Sequence, residues 1–275
     1  MNYGTYLDRV REKAPLVQCI TNFVTVNDCA NIVLAAGGSP SMADDIREAA
    51  EAVAGAGALV CNLGAIGCVD SMAAAGKEAN RLGIPVVLDP VAAGNTALRR
   101  EKSAWLLHEV RFAVIRGNAS EIRALARGEM AGSGVDVSAE DAVTEHTLPR
   151  TVETARQLAQ RTGAVVAVSG PIDVVTDGEK TVLLRNGCAT MARITGSGCM
   201  LTALLGAFCG ANRDHVFEAA CAAVAAMGIA GETAEEKRLA NGTGNSTFRN
   251  DLIDAVFNLT AEQLNGGIRD EVYEG

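Results

Sequence analysis

Histidine is scarce in this chain: His108, His146 and His215 are the only three in 275 residues, and each lies in a charged context. A Ser-His-Asp or Cys-His mechanism, which needs an imidazole beside its nucleophile, is therefore not expected. No two of the eight cysteines form a C-x-x-C pair, and most sit in Ala/Val/Ile-rich segments where a thiol behaves as a small hydrophobe. Neither a zinc site nor a disulfide framework is expected from them. Basic residues are also in deficit, with 24 Lys and Arg against 33 Asp and Glu, a net charge of −9 and a pI near 4.9. Nucleic acid and anionic membranes recruit proteins through basic faces, so no nucleic-acid or membrane partner is expected. No uninterrupted apolar run reaches the roughly 18 residues of a membrane helix, and residues 1–13 carry Asp8 and Glu12 rather than a basic segment leading into an apolar one. The expectation is a cytoplasmic protein working on small molecules.

Apolar residues make up 48% of the chain, enough for a large core. Short, nearly continuous apolar runs at residues 15–21, 58–63, 86–89, 112–115 and 165–169 predict strands covered on both faces, hence a parallel sheet. Ala-rich segments at 44–56, 68–82, 95–109 and 151–162 alternate with them at lengths that suit right-handed crossovers. Residues 173–177 and 180–185 predict a hairpin closed at Gly178-Glu179, and 198–209, 214–238 and 246–264 predict helices. Residues 128–150 read as a polar surface excursion. With no linker, repeat or low-complexity tract, residues 1–275 are expected to form a single α/β domain with helices on both faces of the sheet.

Ligands of open α/β sheets gather at the carboxyl ends of strands, and these ends are polar here. They carry Thr21-Asn22, Asn62-Leu63-Gly64, Asp89-Pro90, Arg116-Gly117-Asn118 and Ser169-Gly170. The segment Thr195-Gly196-Ser197-Gly198-Cys199 precedes the apolar helix 201–207, so two glycines and a helix N-terminus would aim backbone N–H groups at one anion. A plain glycine turn with Ser197 or Thr195 as the helix cap would leave the same trace. Walker A is excluded because no lysine follows the glycines, and the dinucleotide fingerprint is excluded by the late position. Cys199 at this helix start is expected to have a lowered thiol pKa, its bland alternative being a buried hydrophobe. Asn118 and Ser120 could simply cap the next helix; alternatively Glu121, with Asp89, could position a hydrated Mg²⁺.

Asn118-x-x-Glu121 together with Gly196-Ser197-Gly198 resembles the signature of ribokinase-like small-molecule kinases, most of which carry aspartate where Cys199 stands. The finer resemblance, over residues 15–259, is to the hydroxyethylthiazole kinase family. It is carried by Cys19-Ile20-Thr21-Asn22, Ser39-Pro40-Ser41-Met42-Ala43, the stretch from Val87 to Gly94, Arg116 to Ile122, and Thr195 to Cys199. The resemblance implies a three-layer ribokinase-like fold with a mostly parallel central sheet flanked by helices. It also implies ATP-dependent phosphorylation of the hydroxyethyl group of the thiamine thiazole. It assigns Met42, Gly196 and Asn22 to the alcohol, Arg116, Ser169 and Asn118 to ATP, and Asp89 and Glu121 to magnesium. Cys199 would stand beside the reacting hydroxyl, with Gly196, Ser197 and Gly198 holding the phosphoryl group. It further implies a homotrimer with sites between subunits, placing Asn22 and Met42 of one chain near the glycine loop of another. Gln18, Ala65 and Ser246-Thr247-Phe248-Arg249 depart from the family pattern around the acceptor pocket. A hydroxymethylpyrimidine or pyridoxal kinase, a hydrate dehydratase, a non-catalytic ATP-binding module and a covalent thiol enzyme are the competing readings.

Overall fold

The computed structural model describes residues 2–127 and 143–274. Among these residues, nine strands form one sheet in the order β2-β1-β3-β4-β5-β6-β7-β8-β9. They are β1 Leu16–Ile20, β2 Ser39–Ser41, β3 Ala58–Asn62, β4 Val86–Asp89, β5 Val114–Asn118, β6 Val165–Ser169, β7 Asp173–Thr176, β8 Thr181–Leu184 and β9 Asp270–Val272. Strands β1 to β6 run parallel, and β7, β8 and β9 continue the sheet antiparallel.

Eleven helices accompany the described strands: α1 Gly4–Lys13, α2 Val26–Ala36, α3 Ala49–Val53, α4 Val69–Leu82, α5 Ala97–Glu109, α6 Ala119–Arg127, α7 Leu148–Thr162, α8 Ser197–Ala211, α9 Val216–Asn241, α10 Asn245–Asn258 and α11 Ala261–Gly267. Side-chain alternation divides them into layers. Val17 and Cys19 of β1 and Val60 of β3 join a core built with α1, α2, α8, α9 and α10. Ile20, Leu59 and Cys61 point the other way, into a core built with α3 to α7. This is the expected three-layer arrangement. Both cores exist because the central strands carry apolar side chains on both faces, as in the run Ala58 to Cys61 of β3 and Val165 to Val168 of β6, which a sheet covered on two faces requires.

Several boundaries differ from expectation, for local reasons. β5 runs on through Asn118 because Arg116, Gly117 and Asn118 keep register with Ala167, Val168 and Ser169, so these residues lie in the strand rather than after it. The segment expected as one helix over 246–264 divides at Leu259-Thr260, where Thr260 and Gln263 form a reciprocal capping box that starts a new helix. The helix expected over 44–56 shrinks to the five residues of α3. The hairpin turn spans residues 177–180, with Asp177 Oδ1 accepting the amides of Glu179 and Lys180. Of the polar excursion at 128–150, residues 128–142 lie outside the described residues, and 148–150 belong to α7.

Residues 213–241, which include α9, are long and apolar enough to cross a membrane by length and composition, yet 72% of the apolar window is buried inside the fold. α9 packs against α8 and α10 as a core helix.

Candidate active site

The carboxyl ends of β3, β4, β5 and β6 converge on the start of α8. Gly196 occupies the N-cap position with φ +82°, a left-handed conformation that glycine adopts without penalty. A Cβ there would collide with the methyl of Thr25. No side chain caps α8, and the amides of Ser197, Gly198 and Cys199 have no hydrogen-bond partner among the described residues. The reading of this segment as a turn capped by Ser197 or Thr195 is thereby removed. Ser197 and Gly198 instead line a cavity of about 490 Å³, whose wall also carries Arg116, Ser169, Asp173 and the segment 186–192. Unpaired N–H groups at a helix start, facing an open cavity, form an anion site.

Arg116 lies across this helix start. A Cβ on Gly198 would sit less than 3.0 Å from its guanidinium, so glycine is what permits the approach. Its Nη2 donates to Ser169 Oγ, and its Nη1 lies 3.6 Å from Asp89 Oδ2.

Asp89 is 1% exposed. Its Oδ2 accepts from Asn62 Nδ2 at 3.0 Å and Thr202 Oγ1 at 2.8 Å, while Oδ1 is buried with no partner. Burial pushes its pKa up to about 6; the opposing pull of Arg116 only partly offsets this, and Glu121 adds to the rise.

Cys199 Sγ accepts from Asn62 Nδ2 at 3.2 Å and Asn22 Nδ2 at 3.5 Å, and Asn22 also donates to Asn62 Oδ1 at 3.2 Å. The carboxamide of Asn62 thus joins the carboxylate to the thiol. Its oxygen accepts from Gly64 N as well, so rotating the amide would set oxygen against Asp89 and N–H against N–H. The expected lowering of the Cys199 pKa does not hold. Burial is the largest influence and raises it, Asp89 raises it further, and hydrogen bonds from Thr25 and Asn62 and the charge of Arg116 recover only part. The covalent thiol reading loses its thiolate with that correction.

Asn118 and Glu121 take up the plainer of their two readings. Asn118 Oδ1 accepts the Glu121 amide at 2.9 Å, and Glu121 Oε2 accepts the Asn118 amide at 2.9 Å, a reciprocal cap on α6. Glu121 Oε1 accepts from Ala92 N at 2.9 Å, which ties the segment after β4 to the same helix. The Asn118 side chain, spent in the cap, is not on the cavity wall. Each Glu121 oxygen keeps a second lone pair. With the unpartnered Oδ1 of Asp89, that fits a hydrated divalent cation, which keeps several waters and takes one or two carboxylates. Among the described residues no group of three or more His, Cys, Asp or Glu is placed to hold a metal ion, so the two carboxylates are the protein's whole contribution in this reading.

Asn22 reaches the Cys199 of its own chain, so that contact needs no second subunit, contrary to the cross-subunit placement. Met42, half-buried at the end of β2, packs against the same core as Cys199 without reaching the hydrogen-bonded cluster. Gln18, fully buried beneath it, donates to Ala43 O and leaves its own Oε1 unpartnered. Sequence reasoning placed Asn62 at a strand end without a role, and missed Thr25, Thr202 and Asp173. The signal for Thr202 is its place one helical turn after Gly198, whose carbonyl its hydroxyl also meets at 3.1 Å.

A family model described as the hydroxyethylthiazole kinase family matches residues 7–262. A curated hydroxyethylthiazole kinase of Clostridium acetobutylicum is 47% identical over 269 residues, covering 97% of this chain and 98% of its own length. The solved structure of a hydroxyethylthiazole kinase from Pyrococcus horikoshii OT3 superposes with a TM-score of 0.85 at 34% identity, covering 99% of each chain. A Staphylococcus aureus pyridoxal kinase solved with ADP gives 0.56 at 15% identity over 79% of this chain and 87% of its own, a likeness of fold alone.

Proposed function

The chain belongs to the hydroxyethylthiazole kinase family and is a kinase, and from that premise we propose that it transfers the terminal phosphoryl group of ATP to the hydroxyl of 4-methyl-5-(2-hydroxyethyl)thiazole in thiamine salvage. The observation that carries the proposal is the row of unpartnered amides at 197–199, of which Ser197 and Gly198 line a cavity whose wall bears Arg116 and Ser169. Phosphoryl transfer passes through a loose transition state with charge spread over the moving oxygens, so alignment and charge stabilisation do most of the catalysis. The three amides and the Arg116 guanidinium offer both. In well-studied anion holes one lost donor costs roughly 3–4 kcal/mol of transition-state stabilisation.

Arg116 and Ser169 hold the nucleotide in this reading, and Gly196, Asn22 and Met42 flank the acceptor. Cys199 neighbours the reacting hydroxyl as a neutral thiol, which suits a reaction that demands little base. Asp89 and Glu121 would hold magnesium, which would supply neutralisation of phosphate charge when bound. Asn118 serves the nucleotide side only indirectly, through its cap on α6.

The chain works as one domain, in the cytoplasm, as a homotrimer. Support for the assembly comes from Phe23, 90% exposed beside Asn22, and Val24 and Ile46, 57% and 53% exposed near Asn22 and Met42. Phosphate transfer from ATP to the thiazole alcohol, assayed beside hydroxymethylpyrimidine and pyridoxal, tests the substrate. Product from either control but not from the thiazole would replace this reading with another kinase of the same fold. Binding of ATP without any product would leave a nucleotide-binding module.

A further inference from the structure

The far wall of the 490 Å³ cavity is the segment that leaves β8, and Asn186, Gly187, Cys188 and Met191 all face the cavity. Nothing in the sequence of this segment would hold it still: Gly187 has φ +115°, and the backbone runs on into a short 3₁₀ turn at Ala189–Arg193. It is held from behind. Gly228 and Gly231 of α9 lack the side chains that would strike Asn186 and Met191, so the segment lies directly against the helix. Glu232, the next residue of α9, accepts the Gly187 amide at 2.7 Å and the Asn186 carboxamide at 3.3 Å. The same carboxylate pairs with the Arg269 guanidinium, at a short contact and at 3.4 Å.

Asn186 completes the clamp. It is buried, its Oδ1 accepts the Arg269 amide at 2.8 Å, and its Nδ2 donates to Gly267 O at 2.9 Å. One carboxylate thus joins three separate parts of the chain, α9, the exit of β8 and the turn before β9, and it does so without itself lining the cavity. A glycine whose amide is claimed by a carboxylate is tied to α9, and the cavity that this segment lines with Leu201, Val224 and Met227 keeps its width only while that tie holds.

We propose that Glu232 is a positioning residue for the nucleotide, acting through Gly187 and Asn186 to keep the cavity at the width a bound nucleotide requires. The proposal rests on the reading that the nucleotide occupies this cavity. Because Glu232 touches neither the helix start at 197–199 nor Asp89, its loss acts on nucleotide affinity and leaves the transfer step nearly intact. A residue with a merely structural role would instead lower thermal stability and leave the ATP dependence unchanged.

The test compares the full-length wild type with Glu232→Ala, Glu232→Gln and Arg269→Met, measuring KM for ATP, KM for the thiazole, kcat, and the Kd for ADP by calorimetry. Removing a carboxylate that accepts several hydrogen bonds is expected to raise KM for ATP and Kd for ADP together by about tenfold, with kcat and the thiazole KM within about twofold of wild type. Glu232→Gln keeps an acceptor for Gly187 and is expected to recover most of the loss, and Arg269→Met to weaken ADP by about threefold. An unchanged ATP KM in Arg269→Met together with an unchanged value in a folded Glu232→Ala overturns the proposal, as does a loss confined to kcat. Should Glu232→Ala fail to fold, Arg269→Met decides the matter on the same readouts. If Leu201→Trp, which fills the cavity, leaves ADP affinity untouched, the nucleotide lies elsewhere; that result defeats the underlying reading, whereas normal ADP binding by Glu232→Ala and Arg269→Met defeats only the inference.

Discussion

Asp89 and Asp173 stand near the same arginine, and burial pushes both carboxylates up, to about 6 and about 7. Arg116 opposes the rise at each, yet the two are held differently. Asp89 takes Asn62 and Thr202 on one oxygen, and Asn62 passes the connection on to Cys199, while the other oxygen stays unpartnered. Asp173 accepts the Gly170 amide at 2.9 Å and stands partly exposed on the cavity wall. A raised carboxylate by itself therefore does not mark chemistry. What distinguishes the Asp89 corner is a set of donors that fixes the carboxylate against the helix start and leaves one oxygen free to meet a ligand.

The sharpest way to break this comparison removes what the two corners share. Gly198→Val places a branched side chain where the Arg116 guanidinium already lies, displacing the cation from both carboxylates and covering the amides. Activity is expected to fall by at least about a thousandfold, in line with the loss of more than one donor or cation at a charged transition state. Near-normal turnover in this variant would show that the phosphoryl group is held elsewhere.

Substituting each carboxylate in turn separates the corners. Asp89→Asn keeps an oxygen for Asn62 and Thr202 but removes the negative charge, and kcat is expected to drop about a hundredfold. Its stability near pH 8 is expected to rise, because a folded-state pKa about two units above the ordinary 3.8 corresponds to a cost on the order of 3 kcal/mol for keeping this buried group ionised. Asp173→Asn is expected to change kcat by less than about threefold. Equal catalytic losses from the two, measured side by side by initial rates and thermal unfolding, would erase the distinction drawn here.

Much of the Asp89 corner was legible because it is made of strand ends and a helix start, and both leave local traces: an apolar run that stops at a polar residue, and glycines before a helix. The cavity wall was not. Asn186, Gly187 and Glu232 lie 46 residues apart at the widest, and only the packing of α9 against the exit of β8 joins them. Asn62 fell between these cases: its place after a strand was visible, but its bonds to Asp89 and Cys199 depend on β3 lying next to β4 with Asn62 in register with Asp89. Cys199 shows a competition the sequence cannot weigh. A helix N-terminus lowers a thiol pKa, burial raises it, and only the depth of the site decides which prevails. The Asn118/Glu121 pattern was legible twice over, as a cap and as part of a metal site, and the geometry realises the cap while leaving the carboxylate lone pairs for the other role.

Cys199→Ala sharpens the comparison at its middle. The thiol accepts two amide donors and stands as a neutral group, so its removal is expected to lower kcat by about tenfold and to leave KM for ATP unchanged, far short of the Gly198→Val loss. A Cys199→Ala variant as inactive as Gly198→Val would make the sulfur a base after all, and the Asp89 corner would then owe its function to the thiol at its edge.

The smallest effect is the pH dependence of Asp173→Asn, and its sign is fixed by linkage. The folded protein holds the Asp173 proton up to about pH 7, whereas the unfolded chain releases it near 3.8, so this group's contribution to stability is full below about pH 4 and is lost as pH rises through 7. Asparagine keeps the bond from Gly170 and has no proton to lose. The variant should match wild type at low pH, gain on it across the window from about 4 to 7, and hold a constant lead above that. Water at the cavity wall screens the charge, so the lead is set at about 1–2 kcal/mol, or a few degrees in Tm. Thermal unfolding at pH 5 and pH 8 reads it directly. A lead that is the same at both values would mean that Asp173 is already ionised at pH 5, and the likeness between the two carboxylates, from which the contrast in their surroundings takes its meaning, would be gone.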